Sequence, residues 1–266
     1  MRADERGAGA RLGAARAPAR GGWVAAREVG LDLLSLLWPS ACVGCGEVDR
    51  ELCAACVRAL RLGSEEPPLR LPGLGVPGYA AGRYEGVLRS VLLAYKNRGA
   101  YRYERHLGRR LAGPLLNVLE AEYRLDARRH RVALVPLPSR RRSERERGFR
   151  HVEVIARRAL RTLGVPGSVV PALRATRGRT GQVGLGPLER ERNARRVRVR
   201  RGAIAYLTRV PVVLVDDVST TGATLRVATE VLEASGVRVM GAVTLCLAER
   251  RDAPQKLEWN LTGERG

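Results

Sequence analysis

The sequence has few aromatic residues and no long apolar run. Phenylalanine, tryptophan and tyrosine make up 4% of its 266 residues, so a hydrophobic core must be built mainly from leucine, valine and alanine. The longest apolar run, near residues 31–38, is interrupted by Asp32 and Ser35, whereas a helix that crosses a bilayer needs about 20 apolar residues. We therefore expect no membrane span.

The N-terminal segment also lacks the continuous apolar stretch of a signal peptide. Residues 1–27 are rich in arginine, alanine and glycine, which favours a disordered leader over residues 1–28. We likewise expect residues 251–266 to form a tail. Without an export signal the sequence predicts a cytoplasmic protein, in which structural disulfides are uncommon.

Acidic residues are in short supply relative to basic ones. The chain has 48 lysines and arginines against 27 acids, which gives a net charge of +21. Residues 128–209 contain 23 arginines and five acids, so +18 of that charge lies in this stretch. Such an excess favours anionic partners, namely nucleic acids, phosphates or acidic membrane surfaces. An arginine-rich composition can also reflect a GC-rich genome, and this alternative stays open.

Four of the five cysteines form two C-x2-C pairs separated by seven residues. They are Cys42, Cys45, Cys53 and Cys56. Two such pairs place four thiolates around one tetrahedral zinc ion, which leaves no open position for a catalytic water. We therefore expect a structural zinc knuckle within residues 29–66, with two redox dithiols as the alternative. The fifth cysteine, Cys246, lies in an apolar run and is expected to be buried.

After a proline- and glycine-rich linker, strands and helices alternate over residues 79–250. Strands are predicted at 131–137, 210–215 and 237–247, and helices at 86–96, 106–122, 152–163 and 224–235. This alternation predicts a parallel sheet, and the wholly apolar strand at 210–215 is typical of a strand covered on both faces. The fold class is therefore α/β.

The most specific motif follows the strand at 210–215. Two acids, Asp216 and Asp217, precede a turn rich in hydroxyl groups and glycine that opens a helix. The turn contains Val218, Ser219, Thr220, Thr221, Gly222, Ala223 and Thr224. The first N–H groups of a helix have no helical partner and attract anions, so the turn predicts a phosphate site. The acids would instead contact sugar hydroxyls, a cation or a proton. An ordinary capped strand–turn–helix is the alternative.

This string resembles the phosphoribosyl pyrophosphate (PRPP) motif of type I phosphoribosyltransferases. The resemblance implies that Asp216 and Asp217 are catalytic acids that hold the ribose hydroxyls. It also implies that the turn at 218–224 cradles the 5′-phosphate and that Mg²⁺ accompanies the ligand. Candidates for the pyrophosphate group are Lys96, together with Ser139 and Arg140 at the end of an earlier strand.

Beyond this motif, residues 33–247 resemble the ComF family, which joins an N-terminal zinc finger to a phosphoribosyltransferase-like domain. Matching stretches lie at 42–56, 79–99, 135–156, 182–193 and 213–224. In the segment at 147–151, Arg150 and His151 replace the amide pair that is usual there. The resemblance implies a type I phosphoribosyltransferase fold with an N-terminal four-cysteine zinc knuckle.

Three functions remain open at this point. The first is a phosphoribosyltransferase of nucleotide or nucleoside metabolism. The second is a protein that handles single-stranded DNA with the competence machinery during DNA uptake, although the scarcity of aromatic side chains argues against a dedicated single-strand binder. The third is a regulator that senses PRPP without catalysis.

Overall fold

The computed structural model describes residues 41–48, 50–63, 66–98, 101–122, 131–139, 149–176 and 197–249. The predicted leader at 1–28, the tail at 251–266 and Arg140 lie outside the described residues. Among the helices of the described part, none has the length and apolar character needed to cross a membrane.

The helices of the described part agree closely with the sequence periodicity. They are α1 (Ala54–Leu62), α2 (Gly86–Arg98), α3 (Glu104–Leu116), α4 (His151–Leu163), α5 (Arg201–Leu207) and α6 (Ala223–Glu233). A short 3-10 turn, Tyr101–Tyr103, precedes α3, and a π-helical turn, Asn117–Glu122, follows it. One helix was expected over 106–122, but Pro114 lies in the last turn of α3, and proline removes a backbone donor there.

Within the described residues, six strands form one mostly parallel sheet in the order β1-β2-β8-β7-β3-β4. The strands are β1 (Leu69–Arg70), β2 (Gly78–Ala80), β3 (Val132–Pro136), β4 (Gly167–Val169), β7 (Val212–Ser219) and β8 (Val239–Leu247). Only β1 pairs antiparallel within this sheet. A separate antiparallel pair joins β5 (Leu173–Ala175) to β6 (Val197–Val199). The predicted α/β fold class is confirmed.

Helices cover both faces of the central strand β7. Val213 and Val215 pack in the cluster that includes α2, α3 and α4, whereas Val212 and Leu214 pack in the cluster that includes α6. This division follows from the two-residue period of a strand. Cys246 on β8 is fully buried, as expected.

Strand β7 is longer than the sequence indicated. Its pairing with β8 continues to the contact between Ser219 and Leu247, so Asp216 and Asp217 lie inside the strand and not after it. Because side chains alternate between the two faces of a strand, Asp216 and Asp217 lie on opposite faces of the sheet.

Candidate functional site

The turn between β7 and α6 is built around Gly222. This residue is the N-cap of α6 and has a φ of 71°, a conformation that L side chains rarely adopt. A β-carbon at this position would also collide with the carbonyl oxygen of Pro72 in the linker. Glycine is therefore required both by the backbone angle and by the close approach of the linker.

Asp216 and the predicted phosphate turn line one small cavity. Its walls are Asp216 together with residues 218–225, so Val218, Ser219, Thr220, Thr221, Gly222, Ala223 and Thr224 are brought together with the first acid. The cavity lies at the N-terminus of the 11-residue helix α6, where the helix dipole favours negative charge. The first acid and the predicted phosphate turn therefore lie side by side at a helix end that favours an anion, around a cavity of about 10 Å³.

Asp217 faces the opposite side of the sheet from Asp216. Its Oδ2 atom lies 2.9 Å from the Nζ atom of Lys96 on α2 and contacts Nε2 of His151, the first residue of α4. The carboxylate of Asp217 is 14% exposed and His151 is 3% exposed. Lys96 was a candidate for binding the pyrophosphate group. In the structure this lysine forms an ion pair with Asp217.

Lys96 and Asp217 each stabilise the charged form of the other. Burial acts to raise the pKa of Asp217, but the ammonium of Lys96 and the hydrogen bond from His151 outweigh it and hold that pKa well below its usual range. Burial would conversely lower the pKa of Lys96, but the Asp217 carboxylate raises it. Both groups therefore stay charged at neutral pH.

Sequence reasoning did not assign a role to His151. It lies 66 positions before Asp217 and replaces the amide that the resemblance led us to expect. The order of the elements nevertheless offered a signal for this contact, because α4 follows β3 and begins at the edge of the sheet where β7 ends. The parallel topology alone brings these two positions together.

Ser139 lies in the segment that follows β3, the strand next to β7. The N–H of Leu137, just after β3, donates to the carbonyl of Val215 at 2.8 Å, which brings the 137–139 segment beside the two acids. A cavity of about 630 Å³ opens here, and Ser139, Arg150, Arg174 and Arg200 are among its lining residues. Arg174 and Arg200 add positive charge to this cavity, whereas Arg150 is paired with Glu153, which also lines it.

The four N-terminal cysteines form one compact cluster. Their Sγ atoms all lie within 4.8 Å of one another, and those of Cys45 and Cys53 are 3.7 Å apart, close to the edge of about 3.8 Å expected for sulfurs around a tetrahedral zinc ion. A β-carbon on Gly44 would lie only 2.6 Å from the sulfur of Cys56. The cluster fits a metal ion such as zinc.

Backbone N–H groups donate to two of the four sulfurs. The N–H of Cys53 donates to Sγ of Cys42 at 3.3 Å, and the N–H of Cys56 donates to Sγ of Cys53 at 3.5 Å. Burial acts to raise the pKa of Cys42, but backbone hydrogen bonds outweigh it and lower the pKa to about 6. The pKa of Cys53 is raised, and burial raises the pKa of Cys56. The thiolate is the form that binds metal.

Comparison with known protein families agrees with this geometry. The family model described as the phosphoribosyl transferase domain matches residues 153–262, a segment that holds most of α4, the strand β7 with both acids, the phosphate turn and β8. No curated protein matches the chain. Residues 153–262 are therefore similar to the phosphoribosyl transferase domain, and a four-cysteine cluster that fits a metal ion precedes them in the chain.

Proposed function

We propose that the chain is a phosphoribosyltransferase that binds PRPP with Mg²⁺ at the carboxyl edge of its sheet and acts in nucleotide or nucleoside metabolism. The observation that carries the proposal is the N-terminus of α6, where Asp216 and the turn at 218–224 share one cavity. A ribose 5-phosphate needs this combination, because its phosphate is an anion and its sugar offers hydroxyl donors.

The ligand would lie across two neighbouring strands. Backbone N–H groups at the start of α6 and the hydroxyls of Thr220, Thr221 and Thr224 would hold the 5′-phosphate, while Asp216 accepts hydrogen bonds from the ribose. The strand β3 lies about 4.8 Å from β7, so the diphosphate end reaches Ser139 and the arginine-lined cavity. That cavity would neutralise the leaving pyrophosphate.

A magnesium ion fits this edge of the sheet. The ion prefers carboxylate and phosphate oxygens and retains several waters, and Asp216 is a half-buried carboxylate beside the phosphate turn. When bound, Mg²⁺ would neutralise charge on the departing pyrophosphate. The residues of the chain would hold the ribose 5-phosphate in place while positive charge develops at its anomeric carbon.

Calorimetric titration of PRPP in the presence of Mg²⁺ tests the proposal. We expect saturable binding to the wild type and at least about tenfold weaker binding to Asp216→Asn, because a hydrogen bond to a charged acceptor is lost. Glu230→Gln removes the same charge from an exposed position on α6 and serves as the matched control. Absence of binding to the wild type would contradict the proposal.

Pyrophosphate release then separates an enzyme from a regulator. A set of nitrogenous bases would be incubated with the protein, PRPP and Mg²⁺, and free pyrophosphate measured. Base-dependent release supports transfer to an acceptor, whereas tight PRPP binding without release by any base would favour the sensing role.

A second candidate function, single-stranded DNA handling, is favoured by a basic cluster on another face. Burial lowers the pKa of His106, and the nearby Arg109, Arg61 and Arg105 lower it further. These three arginines are exposed and come from α1 and α3, so the cysteine module and the main domain share one positive surface. Links to competence and DNA uptake, and a cytoplasmic location, remain predictions.

Salt dependence tests this second function. Binding of a single-stranded oligonucleotide should weaken steeply with added salt, since counterions are released, and Arg105→Gln/Arg109→Gln should reduce the slope. Arg226→Gln removes one positive charge from α6, outside the basic cluster, and serves as the control for the change in net charge. No binding at low salt would exclude the function.

A further inference from the structure

The carboxylate of Asp217 is held by donors from two helices that converge on the end of β7. Lys96 comes from the C-terminal part of α2, and His151 is the first residue of α4. Both contact the same oxygen, Oδ2.

The anchor also reaches the first acid. The backbone N–H of Asp217 donates to Oδ1 of Asp216 at 2.9 Å, which ties the side chain of the ribose-facing acid to the backbone of the anchored one. A displacement of Asp217 would therefore change the orientation of Asp216 as well.

His151 is itself fixed in place by α2. The hydroxyl of Tyr95 donates to the backbone carbonyl of His151 at 3.4 Å, and the ring of Tyr95 packs edge-on against Phe149 with centroids 5.3 Å apart. Tyr95 is fully buried and precedes Lys96 in the chain. One helix thus positions both donors of the Asp217 anchor.

His151 meets the carboxylate through one ring nitrogen. Its Nδ1 atom is buried and has no partner among the described residues, while Nε2 contacts Oδ2 of Asp217. Because an ionised carboxylate only accepts hydrogen bonds, Nε2 is the donor in this contact.

We propose that His151 is a positioning residue for the phosphoribosyltransferase site: as a donor through Nε2, it holds Asp217 and, through the Asp217 backbone N–H, keeps the Asp216 carboxylate in one orientation toward the ribose hydroxyls. This inference rests on the proposed function. It assigns the histidine no contact with the ligand and no part in proton transfer, and it predicts that a side-chain amide can replace the imidazole, since an amide N–H supplies the same donor.

The test compares ligands with and without a ribose. Ribose 5-phosphate and inorganic phosphate would be titrated into the wild type, His151→Gln, His151→Leu and the packing control Ile155→Val, which changes a buried residue of the same helix. We expect His151→Leu to bind ribose 5-phosphate about tenfold more weakly, the effect of losing one donor to a charged group. Its affinity for inorganic phosphate should be unchanged, and His151→Gln should recover most of the loss.

A spectroscopic measurement examines the contact without any ligand. In ¹⁵N-histidine-labelled protein, Nε2 of His151 should carry a proton, and Asp217→Asn should shift its signal. An Nε2 atom without a proton, or a signal insensitive to Asp217→Asn, would overturn the inference.

The outcomes distinguish the two proposals. If the wild type binds ribose 5-phosphate but His151→Leu binds it equally well, the positioning role is wrong and the proposed function stands. An equal loss of both ligands in His151→Leu, not recovered by His151→Gln, also overturns the positioning role. If the wild type binds neither ligand, the proposed function fails, and the positioning role fails with it.

Discussion

At the scale of single residues, two adjacent aspartates have different environments because neighbouring side chains on a strand point to opposite faces. Asp216 lines the cavity at the start of α6, whereas Asp217 is anchored by Lys96 and His151. The functional role that the sequence predicted for both acids stays a prediction. The sequence did not separate their roles, because the separation depends on β7 extending through both residues.

We predict that Asp217→Asn lowers the free energy of unfolding by roughly 2–4 kcal/mol, because it leaves the Lys96 ammonium without its counter-charge in a mostly buried position. Both side chains retain some solvent contact, 19% for Lys96 and 14% for Asp217, which limits the loss. Urea denaturation measures the effect. Glu233→Gln, at an exposed position on α6, is the control and should change the stability by less than about 0.5 kcal/mol.

The same pair predicts a pH dependence of stability. The pKa of Asp217 is lowered in the folded protein, so its contribution is fully present above the unfolded value of about 3.9 and is lost as the pH falls toward the folded value. Stability should therefore decline between about pH 5 and pH 2, and more steeply in the wild type than in Asp217→Asn. If the free energies of unfolding of the wild type and of Asp217→Asn fall equally steeply over this pH range, the assignment is wrong. Glu233→Gln should show the same pH dependence as the wild type.

At the scale of elements, the proposed phosphate site depends on how α6 begins. The turn depends on a glycine with positive φ at its N-cap and on a linker that packs directly against it. The glycine and hydroxyl pattern in the sequence predicted the turn, but not the contact with Pro72, since that residue lies far away in the chain and belongs to a segment expected to be only a connection.

We predict that Gly222→Ala is more damaging than Gly236→Ala. Both glycines have positive φ, 71° and 78°, so each substitution costs about 1–2 kcal/mol of backbone strain. A β-carbon on Gly236 meets nothing within 4 Å, whereas one on Gly222 collides with the linker. Thermal unfolding should show a larger loss for Gly222→Ala, and only this variant should lose affinity for inorganic phosphate. Equal effects of the two variants on phosphate binding would contradict the assignment of the turn.

At the scale of the whole molecule, the cysteine cluster and the main domain share contacts. Helix α1 packs against α2 and α3, and the cluster contacts Val87 of α2. Arg110 of α3 is buried, and a β-carbon on Gly63 at the end of α1 would collide with its guanidinium. Its Nη2 atom donates to the carbonyl of Ala81 at 2.5 Å. The arginines around His106 lie outside residues 128–209, where the sequence concentrates its positive charge, and part of that stretch lies outside the described residues.

We predict that the purified protein contains about one equivalent of zinc and that Cys56→Ser loses it, because a cluster with so small a core takes its folding energy from the metal. Removal of the metal should lower the unfolding temperature of the chain. Cys246→Ala, outside the cluster, should keep the full metal content even if it destabilises the core. Less than about half an equivalent in the wild type would contradict the four-thiolate site.

The sequence by itself determined those features whose residues are close together in the chain. The two C-x2-C pairs, the acidic pair with its turn and the alternation of strands with helices depend on short spacings, and spacing predicts local geometry. Only the tertiary structure decided which residues share a site across long separations, as His151, Lys96 and Asp217 do. Two helices and a strand must converge before a buried carboxylate obtains its donors. The order of elements indicates which ends lie at one edge of the sheet, but not which side chains meet there.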